Sequence, residues 1–105
     1  MEKYAWCARI VDGAAEEYKR RHSEIWPEMV EVLKQAGIVN YTIWLRGNEL
    51  FGYYECEKGS QYAAKVQAES RTVKKWDDFM SDILIMEKDP VTGAQPKLEK
   101  VFEVN

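Results

Sequence analysis

The chain has 105 residues, of which 46% are hydrophobic, enough for one domain with its own core rather than a disordered segment. Its net charge is −3 and its basic pairs, Arg20-Arg21 and Lys74-Lys75, are short, which argues against a nucleic-acid partner. No apolar run approaches the ~20 residues of a membrane-spanning helix, and Met1-Glu2-Lys3 leads into a strand-like run without the apolar stretch of a signal peptide, so a cytoplasmic protein is expected.

Tyr4 to Val11 alternates, with Tyr4, Trp6, Ala8 and Ile10 on one side, and reads as a strand. Asp12-Gly13 ends it, and Asp12 is the expected N-cap of the following helix. From there Tyr18, His22, Ile25, Met29, Val32, Leu33 and Ala36 fall on one stripe, while Glu16, Lys19, Arg20, Glu24, Glu31 and Lys34 fall mostly opposite. That is an amphipathic helix of period 3.6, ending at Gly37. Pro27 cannot donate to the Ser23 carbonyl and its ring crowds that carbonyl, so a kink or loosening is predicted between His22 and Trp26.

Val39 to Leu45 is a second strand, with Val39, Tyr41, Ile43 and Leu45 on one face. Arg46 to Glu49 is a turn, and Leu50 to Glu57 completes a hairpin. Ser60 is expected to cap a short helix from Gln61 to about Glu69, and Val73, Trp76, Met80, Ile83 and Leu84 mark a second helical piece. Glu87 to Lys97 reads as a loop, and Leu98 to Val104 as the last strand.

Strand, helix, strand, strand, helix, strand is the α+β, ferredoxin-like βαββαβ arrangement, here one domain over residues 1–105. Helices then cover one face of an antiparallel sheet. The other face is left with Trp6 or Cys7, and with Phe51 and Tyr53 or Tyr54. Those are too many aromatics for a face in water, so a two-fold homodimer is expected. Cys7 and Cys56 are expected as buried free thiols. One histidine and two cysteines without close spacing argue against a zinc site, and the chain carries no Gly-rich phosphate loop.

His22 is the single histidine, on the inward stripe, with Tyr18 one helical turn before it and the Pro27 break just after. Histidine changes charge nearest neutral pH, which makes it a proton-transfer candidate. The same position also suits a core histidine held by one hydrogen bond.

Glu16-Glu17-Tyr18-Lys19-Arg20-Arg21-His22 followed by Ile25-Trp26-Pro27-Glu28 closely resembles the L-rhamnose mutarotases. So do Asn40-Tyr41-Thr42-Ile43, Trp76 with Phe79-Met80-Ser81-Asp82, and the closing Glu99-Lys100-Val101-Phe102. The resemblance covers essentially the whole chain. It implies a cytoplasmic dimer of the α/β-barrel type that interconverts the α and β anomers of a deoxy sugar, L-rhamnose or a relative, without a cofactor. It implies His22 as proton donor and Tyr18, Tyr41 and Trp76 as sugar contacts. One position departs: the family commonly has a second tryptophan after the first, and this chain has Asp77, which puts the identity of the sugar in question.

These residue types suit the chemistry. Mutarotation moves one proton off the anomeric hydroxyl and one onto the ring oxygen, and an imidazole titrates where such transfers are needed. The partner for the second proton is open among Asp77, Asp82, Glu28 and water. Two rival readings rest on the fold alone: a cofactor-free monooxygenase-like or haem-degrading enzyme, and a non-catalytic sugar-binding module.

Overall fold

The computed structural model describes residues 1–85 and 97–105. The strands are β1 (Glu2–Ile10), β2 (Ile38–Arg46), β3 (Glu49–Cys56) and β4 (Leu84–Ile85). Two helices lie between β1 and β2, α1 (Ala15–Ser23) and α2 (Pro27–Gln35), and two between β3 and β4, α3 (Ser60–Ala68) and α4 (Arg71–Met80). The sheet order is β2-β3-β1-β4, with every pairing antiparallel. It is an α+β fold with the strand order of the split βαβ pattern.

Alternation along β1 buries Trp6, Ala8 and Ile10 on the helix side. Leu50, Tyr54 and Cys56 of β3 join them, and Tyr18, Met29, Ala63, Trp76 and Met80 close the core from the helices. The opposite face is open: Trp44 is 68% exposed and Phe51 42%, and the two are cross-strand partners. Cys7 is exposed on that face, where a buried thiol was expected; Cys56 is buried, and both are free. Their strand positions point to opposite faces of the sheet.

The expected long helix is two helices. The chain leaves helical geometry at Glu24 and re-enters with Pro27 as the first helical residue, where its missing N–H costs nothing. Gly37, at φ +77°, ends the second of them as predicted. The caps differ from expectation. Ala14, not Asp12, occupies the N-cap of α1, and the Asp12 carboxylate instead accepts from the Asn48 side chain across the sheet end. Gly59 is the N-cap of α3, and Ser60 is its first residue. The Ser60 N–H and hydroxyl donate to the Glu2 carboxylate at 2.7 and 2.6 Å, so a side chain from β1 serves the helix terminus. These bonds hold the Glu2 carboxyl below its usual pKa.

Leu98 to Val104 is not a strand. Its backbone meets the sheet only at the entrance, through the antiparallel Trp6–Lys97 bridge and the Leu98 N–H to the Ala5 carbonyl at 2.7 Å, and the Glu103 carboxylate pairs with Lys3 of β1. The far end of β1 is paired instead with Leu84–Ile85. Beyond Leu98 the side chains of Val101, Phe102 and Val104 are exposed. Most of the predicted Glu87–Lys97 loop lies outside the described residues.

Strand β2 carries one irregularity. Val39 pairs with Glu55 and Thr42 with Tyr53, so Asn40 and Tyr41 together stand opposite Tyr54. Asn40 takes φ +52°, a left-handed conformation that asparagine tolerates better than most residues. This bulge separates Val39 from the face expected for it. Ile38 points to the core, Val39 away, and after the extra residue Tyr41, Ile43 and Leu45 point back inward.

Candidate active site

Helix α1 sets the first two groups. Glu16 and Glu17 in its first turn and Arg20 and Arg21 in its last complement the helix dipole. Tyr18 and His22, one turn apart, stack with ring centroids 4.2 Å apart. Trp76 of α4 meets the imidazole edge-on at 5.4 Å. Trp76 is in turn fixed by Trp26 at 5.0 Å and Phe79 at 5.7 Å. Ser70 caps α4, its hydroxyl accepting from the Val73 N–H at 3.2 Å. The bulge in β2 brings Tyr41 in from the sheet.

These side chains enclose a cavity of about 280 Å³, lined by Tyr18, His22, Tyr41 and Trp76 together with Trp6, Gln67 and Asp77 and an aliphatic wall that includes Met29 and Ile43. That is the small end of ligand clefts, commonly ~300–1,000 Å³, and fits one sugar ring. All four residues anticipated from the sequence therefore line one hollow. A shallower hollow of about 510 Å³, between α2 and the α3–α4 corner, is lined by Glu28, Glu31 and Glu69 and has neither an aromatic nor an imidazole in its wall.

The imidazole Nδ1 lies 3.2 Å from the Tyr18 carbonyl. A carbonyl can only accept, so Nδ1 carries the proton and Nε2 of the neutral ring keeps its lone pair. Burial pushes the His22 pKa below its ordinary value, partly opposed by that bond. Burial also raises the Tyr18 and Tyr41 hydroxyls far above their usual range, so both stay protonated donors. The folded pKa of His22 lies below the unfolded ~6.5, so the associated stability is complete above ~6.5 and is lost as pH falls through the folded value. An NMR titration of the His22 ring protons is expected to give a midpoint below ~6.5; a midpoint above it would contradict a desolvated ring.

The three carboxylates named for a second proton separate cleanly. Asp82 is bound by Arg21 at 2.8 and 3.1 Å, and Glu28 lines the other hollow. Asp77 lines the cavity. It shares the inward stripe of α4 with Val73, Trp76 and Met80, while Asp78 is exposed. Arg21 is a strut. It binds Glu17 and Asp82, donates to the Phe79 carbonyl at 2.8 Å, and lies over the Phe79 ring, tying α1 to the end of α4. Between Arg20 and Arg21 the Glu17 carboxyl is held at about 2.

Gln67 and Trp6 line the cavity without having been anticipated. Trp6 sits on an inward strand face and reads as plain core. Gln67 lies on a helix whose period gave no polar signal. Among the described residues, no group of three His, Cys, Asp or Glu side chains is placed to hold a metal ion.

The fold and cavity together define a small α+β protein with an aromatic-walled, monosaccharide-sized site built on one imidazole. Residues 3–104 match the family model described as L-rhamnose mutarotase, and the chain belongs to that family. An L-rhamnose mutarotase of Lachnoclostridium phytofermentans is 41% identical, with 100% of each chain covered. One of Pectobacterium carotovorum is 38% identical, with 97% of each covered. A crystal structure of an L-rhamnose mutarotase from Formosa agariphila superposes with a TM-score of 0.79 at 31% identity, covering 100% of both chains.

Proposed function

We propose that this protein is an aldose mutarotase that interconverts the α and β anomers of L-rhamnose or a closely related sugar. The observation that carries the reading is an imidazole with a free Nε2 edge at a sugar-sized cavity, in a chain of this family. His22 is the general acid-base. Its neutral Nε2 takes the proton of the anomeric hydroxyl as the bond from C1 to the ring oxygen breaks, and the imidazolium delivers that proton to the departing ring oxygen. The open-chain aldehyde turns about C1–C2. On closure to the other face Nε2 takes the proton back from that hydroxyl as its oxygen attacks C1, and the imidazolium gives it to the new anomeric oxygen. Tyr18 and Tyr41 grip the sugar through their hydroxyls, and Trp76 lies against its apolar side. No step calls for a metal, nucleotide or covalent nucleophile.

The test is anomer exchange, followed by NMR saturation transfer, over a panel of 6-deoxy and ordinary hexoses. Acceleration of L-rhamnose exchange is expected, and acceleration of none of the panel would end the reading. Asp77 gives the panel a second use. Asp77→Trp exchanges a carboxylate for a ring face in the wall and is expected to change the order of preferred sugars. An unchanged order would remove Asp77 from recognition. Affinity without acceleration would favour a binding module.

The working form is a homodimer of the α/β-barrel type, one domain per chain, in the cytoplasm. The exposed Trp44–Phe51 pair and the outward Val101, Phe102 and Val104 support a second copy over the open sheet face. Two free thiols suit a reducing compartment. Sedimentation is expected to give twice the chain mass, and the Trp44→Glu/Phe51→Glu double variant the single mass. A wild-type monomer at micromolar concentration would contradict the dimer.

A further inference from the structure

The indole of Trp6 is 2% exposed, and its Nε1 lies 3.2 Å from the Tyr41 hydroxyl oxygen. The direction of this bond is fixed by chemistry, because an indole N–H only donates. Tyr41 is therefore the acceptor, and one lone pair of its oxygen is occupied. The phenolic proton is then turned away from the indole.

Three local irregularities meet at this one oxygen. The first is the bulge at Asn40, which turns Tyr41 inward. The second is Gly52, the cross-strand neighbour of Trp6. A Cβ built on Gly52 would lie 2.0 Å from the indole Cε2 and 2.3 Å from Nε1, so the ring lies flat against bare backbone. A mid-strand glycine weakens a sheet, and it marks a close approach of this kind. The third is the ring of Tyr54, 5.0 Å from that of Tyr41, which backs the phenol from the other side. Packing alone would be met by any large apolar residue at position 6. The indole adds an N–H aimed at the one inward phenol of β2, in the wall of the cavity that both residues line.

We propose that Trp6, seated on Gly52, is a positioning residue: it fixes the Tyr41 hydroxyl as a hydrogen-bond donor directed into the cavity, toward a sugar oxygen that can accept, the ring oxygen or a hydroxyl. The inference rests on the reading of the cavity as a sugar site. Tyr41 stays a phenol throughout, and its contribution is orientation and stabilisation of the bound ring rather than proton transfer.

The experiment is a double-mutant cycle on kcat and KM for L-rhamnose anomer exchange. Trp6→Phe keeps an aromatic ring and removes the N–H. It is expected to lower kcat/KM by about 3- to 10-fold in the wild-type background, the worth of one ordinary hydrogen bond. In the Tyr41→Phe background the same change is expected to have almost no further effect. Equal losses in both backgrounds would assign Trp6 a packing role only and overturn the proposal. A second measurement does not depend on the Trp6 variant folding. The Trp6 indole N–H resonance is expected to move upfield and exchange faster with solvent in Tyr41→Phe, and an unmoved resonance would also overturn the proposal. An inactive wild type would instead end the mutarotase reading, while the resonance test would still report on the bond itself.

Discussion

His22→Ala is expected to lower catalysed anomer exchange by about 10²–10⁴-fold, the range typical of one general acid-base group. The fold should survive it. The imidazole's hydrogen bond is to the Tyr18 carbonyl of its own helix turn, and that helix is held independently by Arg21. Sugar binding should survive as well, since Tyr18, Tyr41 and Trp76 remain in the wall. The signature is therefore a collapse of kcat with KM changed little. Saturation-transfer rates that match wild type would remove the imidazole from the chemistry. A large rise in KM with kcat intact would make it a binding group.

Gly52→Val is expected to be the most damaging single change to the fold. The new Cβ would occupy space now held by the Nε1–Cε2–Cζ2 edge of the Trp6 indole, 2.0 Å from Cε2. Backbone lies on one side and the packed core on the other, so the ring can escape only by leaving its site. Losing the packing of a buried tryptophan costs about 3–5 kcal/mol. A domain of this size has roughly 5–15 kcal/mol in total. A urea midpoint shifted by that amount is expected, and one within error of wild type would mean that the indole has another place to go. Gly13, by contrast, has open space around it.

Much of this architecture is legible in residue order. The alternation of β1 and the stop at Gly37 are local patterns that appear where the pattern puts them, and the stripe through Tyr18, His22, Ile25 and Met29 faces one cavity, although it is carried by two helices with Ile25 in the break between them. The break before Pro27 is equally local, since a proline without an N–H must begin a helix or interrupt one. What escapes is set by tertiary partners. Asp12 and Ser60 have the right chemistry for caps, yet Asn48 of the β2–β3 turn and Glu2 of β1 claim their side chains. Leu98 to Val104 has strand-like residues, but a strand needs a neighbour, and the described chain offers one only at Lys97 and Leu98. In the site, helical spacing pairs Tyr18 with His22, and the family resemblance adds the sugar contacts Tyr18, Tyr41 and Trp76. Gln67 and Trp6 were missed because a residue's facing does not reveal whether it meets packing or a void.

The bulge in β2 has a consequence for how this site can arise or be lost. Facing along a strand is a matter of phase, and Asn40 is a half-step added to it. If the strand ran regularly through Asn40 instead of bulging there, with the Ile38–Cys56 pairing kept, Tyr41, Ile43 and Leu45 would turn outward while Thr42, Trp44 and Arg46 turned in. Deleting the Asn40 codon would leave Tyr41 opposite Tyr54 and facing in, whereas one further residue paired between Asn40 and Tyr41 would exchange the cavity's phenol for a threonine and drive an arginine into the interior. On this strand the site is encoded by chain length as much as by residue identity.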